Sequence, residues 1–457
     1  MYLVIENFGL LFSLGLLIWF ALRGVNILFA TLVCASIVAL TNGLPVAESL
    51  SKQYASSPLG AFTFAGKFFL LFAAGAMFGK VMGVTHSAAS IAAAMTRLLG
   101  EQRVLWTLVL SSALLTYGGV VVFVVIFTMY PLGLRLSLQA NIPKRLLCGA
   151  VALGAGTFTM TALPGAPSIH NVIAANALGT DLYAGAGLGL LAAVIMFGLG
   201  IWYLESQRKK AAAAGEQFVS NDKDQIDEIR LADMPALWRA LLPLILVLLI
   251  IVLPRAASLL IGDATQLPAW LQFAQAQTIV WPSFALLIGA VVNTLLLPKN
   301  MSSPFQVYGA GVDDSIMPLL NTAAVIGFGA VVTSTIGFSQ FVGWFSNADM
   351  PVMLSLFSSV SVVSGITGSA SGGLQIFMTT FADFYLAAGV PPEVLHRVAT
   401  VASGGLDSLP HCGAIIATLT IMGLSHKEAY RDMAIVTVVI PVISALCLVA
   451  VASFWYL

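Results

Sequence analysis

Apolar stretches long enough to cross a bilayer fill most of this chain, and several of them carry glycine, proline, serine and threonine at their centres. The stretches run at about 3–22, 24–41, 60–84, 104–134, 145–164, 169–204, 237–261, 278–297, 314–340, 350–388, 393–424 and 432–456. One helical crossing needs about 20 apolar residues. Some of these stretches are too long for one crossing and too short or too broken for two. Irregular backbone at membrane depth survives only where protein or a water-filled cavity satisfies its polar groups. The expected fold class is therefore an all-α polytopic membrane protein with re-entrant hairpins and discontinuous helices. Composition agrees: 59% of residues are hydrophobic, 9% are charged, and the mean hydropathy is +0.96, against about 25% charged residues in soluble domains.

The same composition narrows function. Net charge is zero and no basic stripe exists, so nothing points to nucleic acid. Cys34, Cys148, Cys412 and Cys447 are scattered without CxxC spacing and read as apolar packing residues. The five histidines form no HExxH or HxxxH pattern, so no metal or cofactor is expected. The N-terminal MYLVIENFGL lacks a basic n-region and a cleavage site and reads as a retained first span.

Charge concentrates in 205–236. Arg208, Lys209 and Lys210 follow an expected helix end at Tyr203, and by the positive-inside rule this loop is cytoplasmic. It divides the chain into an N-terminal half (1–204), a linker (205–236) and a C-terminal half (237–457). The simplest reading of the linker is a solvated loop.

The halves resemble each other. AGAMFGKVMGVTHSAASI (74–91) parallels 325–342; LTYGGVVVFVVIF (115–127) parallels GSASGGLQIFMTTF (368–381); 142–156 parallels 390–405; and TALPGAPSI (161–169) parallels DSLPHCGAI (407–415). All four pairs keep their order at offsets of about 250 residues, and such repeats with matching Gly/Pro interruptions are the sequence mark of a secondary transporter's binding site. A proline inside a helix removes a hydrogen bond and costs about 3 kcal/mol. If the broken helix lines a polar site, the freed groups become ligands: amides for an anion, carbonyls for a cation. LPGAP (163–167) and LPHCG (409–413) are the expected unwound segments, and TYGG (116–119) and SASGG (369–373) the expected hairpin tips. The competing reading, helix packing by small residues, gives no reason for the repeat. GAGLG (185–189) lacks a preceding strand and reads as packing.

Ionisable groups inside a membrane are expensive and functional by default. Asp407 and His411 bracket Pro410 and are the expected proton-coupling pair; a structural Asp–His hydrogen bond is the alternative. Asp383 is a third proton-coupling candidate, and it either faces the cavity or sits at the interface. Lys67 and Lys80 read as snorkelling side chains. His170 and Asn171 follow the first break and help shape the site. Lys144, Arg145, His396, Arg397, His426, Lys427, Glu428, Arg431 and Asp432 read as solvated helix ends that set topology.

The stretch VASGGLDSLPHCGAIIATLTIMGLSHKEAY (401–430), the glycine and serine spacing of 364–373 and the two-half layout resemble the gluconate permease (GntP) family of the ion transporter superfamily, closest to its D-beta-hydroxybutyrate permease branch. The resemblance implies a proton-coupled carrier of small hydroxy-monocarboxylates in the bacterial inner membrane, homo-oligomeric, with inverted repeats and elevator-type motion. It implies substrate-binding positions at Thr116, Tyr117, Gly118 and Gly119; Thr161, Pro164, Gly165 and Ser168; Ser369, Ser371, Gly372 and Gly373; and Ser408, Pro410 and Gly413. A sodium-coupled di- or tricarboxylate carrier of the same fold is the alternative, weakened by the absence of Ser-Asn-Thr tips. A membrane-embedded enzyme would need a nucleophile or metal motif that the chain lacks.

Overall fold

The computed structural model describes residues 2–456 apart from 121, 221–223, 225–233, 262–267, 299–300, 302, 348–349 and 411. Among the described residues every regular element is helical.

Helices α1 (Tyr2–Leu22) and α2 (Ile27–Thr41) open the chain. The turn between them ends at Asn26, whose side chain accepts the Leu28 and Phe29 amides at 2.9 and 3.3 Å and so caps α2. After the short α3 (Val46–Glu48) comes α4 (Ala61–Val84), whose 24 residues exceed the roughly 30 Å needed for a crossing. Then α5 (Ser87–Leu99) leads to the first hairpin, α6 (Val104–Tyr117) and α7 (Val122–Gln139). Its tip reverses at Gly119, φ +95°, where Val120 N donates to Leu115 O at 3.0 Å. Next, α8 (Lys144–Gly156) and the single turn α9 (Phe158–Thr161) stop at 162–168 before α10 (Ile169–Leu178) resumes. The first half closes with α11 (Ala186–Ala213). This helix does not end at Tyr203; alanines and the 208–210 cations carry it ten residues further.

The second half begins with α12 (Leu237–Ile261), α13 (Ala269–Ala276) and α14 (Val280–Leu296), the last two meeting at 105°. From there the order of the first half recurs. The long α15 (Pro304–Thr333) corresponds to α4, and α16 (Ile336–Asn347) to α5. The hairpin α17 (Val352–Thr367) and α18 (Ala370–Thr380) corresponds to α6 and α7. After α19 (Ala382–Ala387), the broken pair α20 (Pro392–Ser403) and α21 (Gly413–Ile421) corresponds to α8 and α10, with α22 (His426–Ala434) and α23 (Ile440–Trp455) last.

Among the described residues, five helices are long and apolar enough to cross a membrane: 61–84, 186–213, 237–258, 304–333 and 426–455. The apolar stretches at 104–134, 350–388 and 393–424 are not single crossings but hairpins and broken helices. The two halves meet where α4 packs on α15: a Cβ at Gly311 would lie 2.7 Å from Met77 Cα, so the backbones touch. Phe62, Trp202 and Leu249 are among the large apolar side chains left facing outward, as a bilayer permits. The chain is a multi-pass membrane protein.

Candidate functional site

Both hairpin tips and both breaks meet at one cavity of about 470 Å³. Of the residues expected there, Thr116, Gly119, Thr161 and Ser168 from the first half line it, as do Ser369, Ser371, Asp407, Ser408 and Gly413 from the second. Tyr117, Gly118, Pro164, Gly165, Gly372, Gly373 and Pro410 do not reach the lining; they shape the segments that do. Gly165, for example, has φ +78°, and a Cβ there would meet the Tyr183 ring at 2.6 Å. The second tip is tighter than SASGG suggests: it turns at Gly368 and Ser369, and Ala370 to Gly373 already form the first turn of α18. Asp383 is exposed on α19, away from the cavity. His411 lies outside the described residues.

Sequence reasoning missed part of the wall. Pro318, Asn321 and Thr322 of α15 line the cavity, and the Asn321 Oδ1 is buried without a partner among the described residues. A proline followed by Asn-Thr inside a long apolar run was the available signal.

Five carbonyls of the first break, those of Met160, Ala162, Leu163, Pro164 and Ala166, already accept from protein donors. Tyr117 Oη donates to Pro164 O at 3.0 Å, and Asn171 Nδ2 donates to Leu163 O and Ala166 O at 3.2 and 3.1 Å. Ser168 Oγ donates to Met160 O at 2.7 Å, and Arg397 Nη1 to Ala162 O at 3.1 Å. The second break is treated alike: Tyr430 Oη donates to Ser408 O at 3.1 Å, and the His426 Nε2–H to Pro410 O at 2.9 Å. Satisfying these oxygens from the protein removes the penalty of an irregular backbone at depth.

The amide ends differ. Ile169 and His170 of α10, Ala370 and Ser371 of α18, and Gly413 to Ile415 of α21 all contribute to the cavity wall. These are first-turn residues, whose N–H groups have no partner within their own helix. Ser168 and Ser369 cap one amide each, those of Asn171 and Gly372, at 3.3 and 3.1 Å. The Asp407 carboxylate sits against the Ala370 and Ser408 amides and accepts from Ser408 Oγ at 3.2 Å. Three helix starts thus converge on the cavity beside several carbonyls that protein donors already hold. Their dipoles favour an anion.

Several charges read as solvated ends are interior. Arg397 and His396 are fully buried, and Lys144 and Asp432 nearly so. Lys80 pairs with Asp314 at 2.9 Å rather than simply snorkelling. The central loop also docks. Glu216 takes the Arg145 fork at 2.8 and 2.7 Å, Asp224 takes Lys144 at 2.7 Å and Tyr130 Oη at 2.6 Å, and Phe218 N donates to Asn141 Oδ1 at 3.0 Å. Arg145 holds the Glu216 carboxyl below its ordinary range. On its other side Arg145 reaches Asp432, which also accepts from Tyr203 Oη at 2.7 Å.

Comparison with known proteins gives a consistent picture. The model of the GntP family permeases matches residues 2–454. An uncharacterized transporter of Bacillus subtilis (strain 168), YxjC, is 36% identical over 456 residues, covering 94% of this chain and 95% of that protein. An uncharacterized permease of Haemophilus influenzae is 25% identical over 385 residues, covering 81% of this chain and 76% of the relative. Among solved structures, the crystal structure of the Alcanivorax borkumensis YdaH transporter, reported to have an unusual topology, superposes with a TM-score of 0.55 at 16% identity, covering 97% of this chain and 99% of that one. That likeness concerns the fold alone.

Proposed function

The chain belongs to the GntP permease family, and from that premise we propose that it is a proton-coupled secondary carrier of a small hydroxy-monocarboxylate, of the 3-hydroxybutyrate or gluconate type. One observation carries the reading: three helix starts line a single cavity, and protein donors hold several of the carbonyls at the two breaks beside it. No lysine or arginine is among the lining residues described. The carboxylate is therefore held by partial charges and by the hydroxyls of Thr116, Ser369 and Ser371, which suits a ligand that must also be released. A cavity of about 470 Å³ is ample for a short hydroxy acid. Asp407 is the proton carrier within the wall, with His411 as its partner across Pro410.

The recurring element order supports inverted repeats, with the hairpins and broken helices moving as a mobile body against α4 and α15 in an elevator-type shift. The setting is the bacterial inner membrane, with the carrier assembled as a homo-oligomer through its scaffold helices.

The test is uptake of radiolabelled D-3-hydroxybutyrate into proteoliposomes with an inward proton gradient, with and without sodium, against unlabelled gluconate, lactate and succinate. Sodium-independent, proton-driven uptake that short hydroxy acids compete away is the expected result. Uptake only with sodium, blocked by succinate, moves the chain to a sodium-coupled dicarboxylate carrier.

A further inference from the structure

We propose that Arg397 is a positioning residue: from the broken helix of the second half it fixes the shape of the break in the first half, and so the wall of the cavity. Arg397 lies on α20 and is fully buried. Among the described residues, every hydrogen bond its guanidinium makes is to the other half. Nη1 donates to Ala162 O at 3.1 Å and to Asn171 Oδ1 at 2.9 Å. Nε and Nη2 donate to Ala184 O at 3.0 and 2.7 Å, and Nη2 reaches Leu182 O at 3.4 Å. These acceptors belong to the end of α9, to α10 and to the turn before α11, so one side chain joins three segments.

A buried cation is a costly way to cap carbonyls, because its desolvation costs several kcal/mol. Neutral donors cap such oxygens elsewhere in this site, as Tyr117 and Tyr430 do. What the guanidinium adds is a rigid planar fork that reaches several acceptors at once, which a lysine ammonium cannot reproduce. The surrounding backbone is cut to fit it. A Cβ at Gly185 would lie 2.7 Å from Arg397 Cβ, and one at Gly189 would lie 3.0 Å from Arg397 Cδ and Nε and 2.4 Å from Ala162 O. The GAGLG stretch is therefore packing with a purpose: its first and last glycines make the slot for this side chain.

The link reaches the cavity through Asn171. Its Oδ1 accepts from Arg397, and its Nδ2 holds Leu163 O and Ala166 O. His396, beside Arg397, shares Thr180 at 2.8 Å and approaches the same Asn171 Oδ1 at 3.4 Å. Thr161, Pro167, Ser168 and His170, which flank or belong to the held segment, line the cavity.

The test is Arg397→Lys with two readouts. Amide hydrogen exchange, followed by mass spectrometry, rises roughly tenfold or more in 162–168 and 181–184 and stays unchanged in 404–413. The KM for D-3-hydroxybutyrate rises roughly tenfold while Vmax per folded carrier stays within about threefold. Asn171→Ala, which keeps the arginine, separates the two arms: 163–166 opens and 181–184 stays protected. It also serves if Arg397→Lys fails to fold. The uptake readout rests on the proposed carboxylate, whereas the exchange readout needs no substrate. A wild-type carrier inactive on D-3-hydroxybutyrate would overturn the functional reading and leave the exchange pattern to decide this one. Exchange unchanged in 162–168, or raised equally throughout the protein, overturns the role assigned to Arg397.

Discussion

Tyr117 closes the first hairpin arm and donates its phenol to the Pro164 carbonyl at 3.0 Å, so the tip of that hairpin and the first helix break form one unit. Tyr117→Phe keeps the ring and removes the donor. A part-buried carbonyl then lacks its partner, at a cost of about 1–3 kcal/mol. The expected outcome is a several-fold higher KM for the transported carboxylate with the fold retained, measured by uptake kinetics beside a thermal melt. Wild-type KM in this variant would show that the tip and the break act independently.

Two glycines near the site differ in what they tolerate. A Cβ at Gly373 would lie 2.3 Å from Ser364 Oγ, 2.4 Å from Ser364 Cα and 2.7 Å from its N, and backbone there cannot yield. Gly413, at the start of α21, has nothing within 4 Å of its Cβ position. Overpacking costs about 1–3 kcal/mol or more, so Gly373→Ala lowers the melting temperature and the yield of folded protein. Gly413→Ala folds normally and alters uptake, because its methyl group enters the cavity. Equal melting temperatures for the two variants would contradict the hairpin packing described here.

The glycine tips and the proline breaks were legible in the sequence because each is a local signal: a positive φ, a missing N–H, a change in hydrophobic length. What caps the breaks was not legible. Arg397 stands five residues after Pro392, where a helix start and a solvated charge look natural, yet its acceptors are at 162, 171, 182 and 184. The pairing of His426 with Pro410 and the docking of Glu216 and Asp224 have the same character. Donor and acceptor are ordinary residues, and only the folded chain brings them together. Asn321 was easy to pass over for another reason: an Asn-Thr pair in the apolar run from Ile316 to Val332 of α15 barely changes its hydropathy profile.

The docked loop predicts a pH response. Arg145 depresses the Glu216 carboxyl in the folded state, so the pair stabilises docking fully above the unfolded glutamate value of about 4.3. That contribution is lost as pH falls through the depressed folded value. The Glu216 side chain is 39% exposed, so the pair contributes less than about 1 kcal/mol. Hydrogen exchange at Phe218, whose amide is held by Asn141, should speed up modestly in acid after correction for its intrinsic pH dependence. Glu216→Gln should exchange faster already at pH 7. An amide equally protected in both proteins would show that Lys144 and Asp224 hold the loop without Glu216.

Asp407 offers the most direct test of coupling, because it is a carboxylate in the cavity wall whose shape can be kept while its titration is removed. Its neighbours are the Ser408 hydroxyl at 3.2 Å and the amides of Ser408 and Ala370, and an asparagine oxygen can still accept from them. Substrate binding and the movement of the loaded carrier should therefore survive in Asp407→Asn, and proton-driven accumulation should fail. The expected result in proteoliposomes is retained exchange of external labelled for internal unlabelled D-3-hydroxybutyrate, with no uphill uptake on a proton gradient. Loss of both activities would make Asp407 a binding residue, since a carrier that only lost its proton would still exchange. Uphill uptake equal to wild type would remove Asp407 from coupling. His411→Gln, measured in the same two assays, would then show whether the imidazole carries the proton alone.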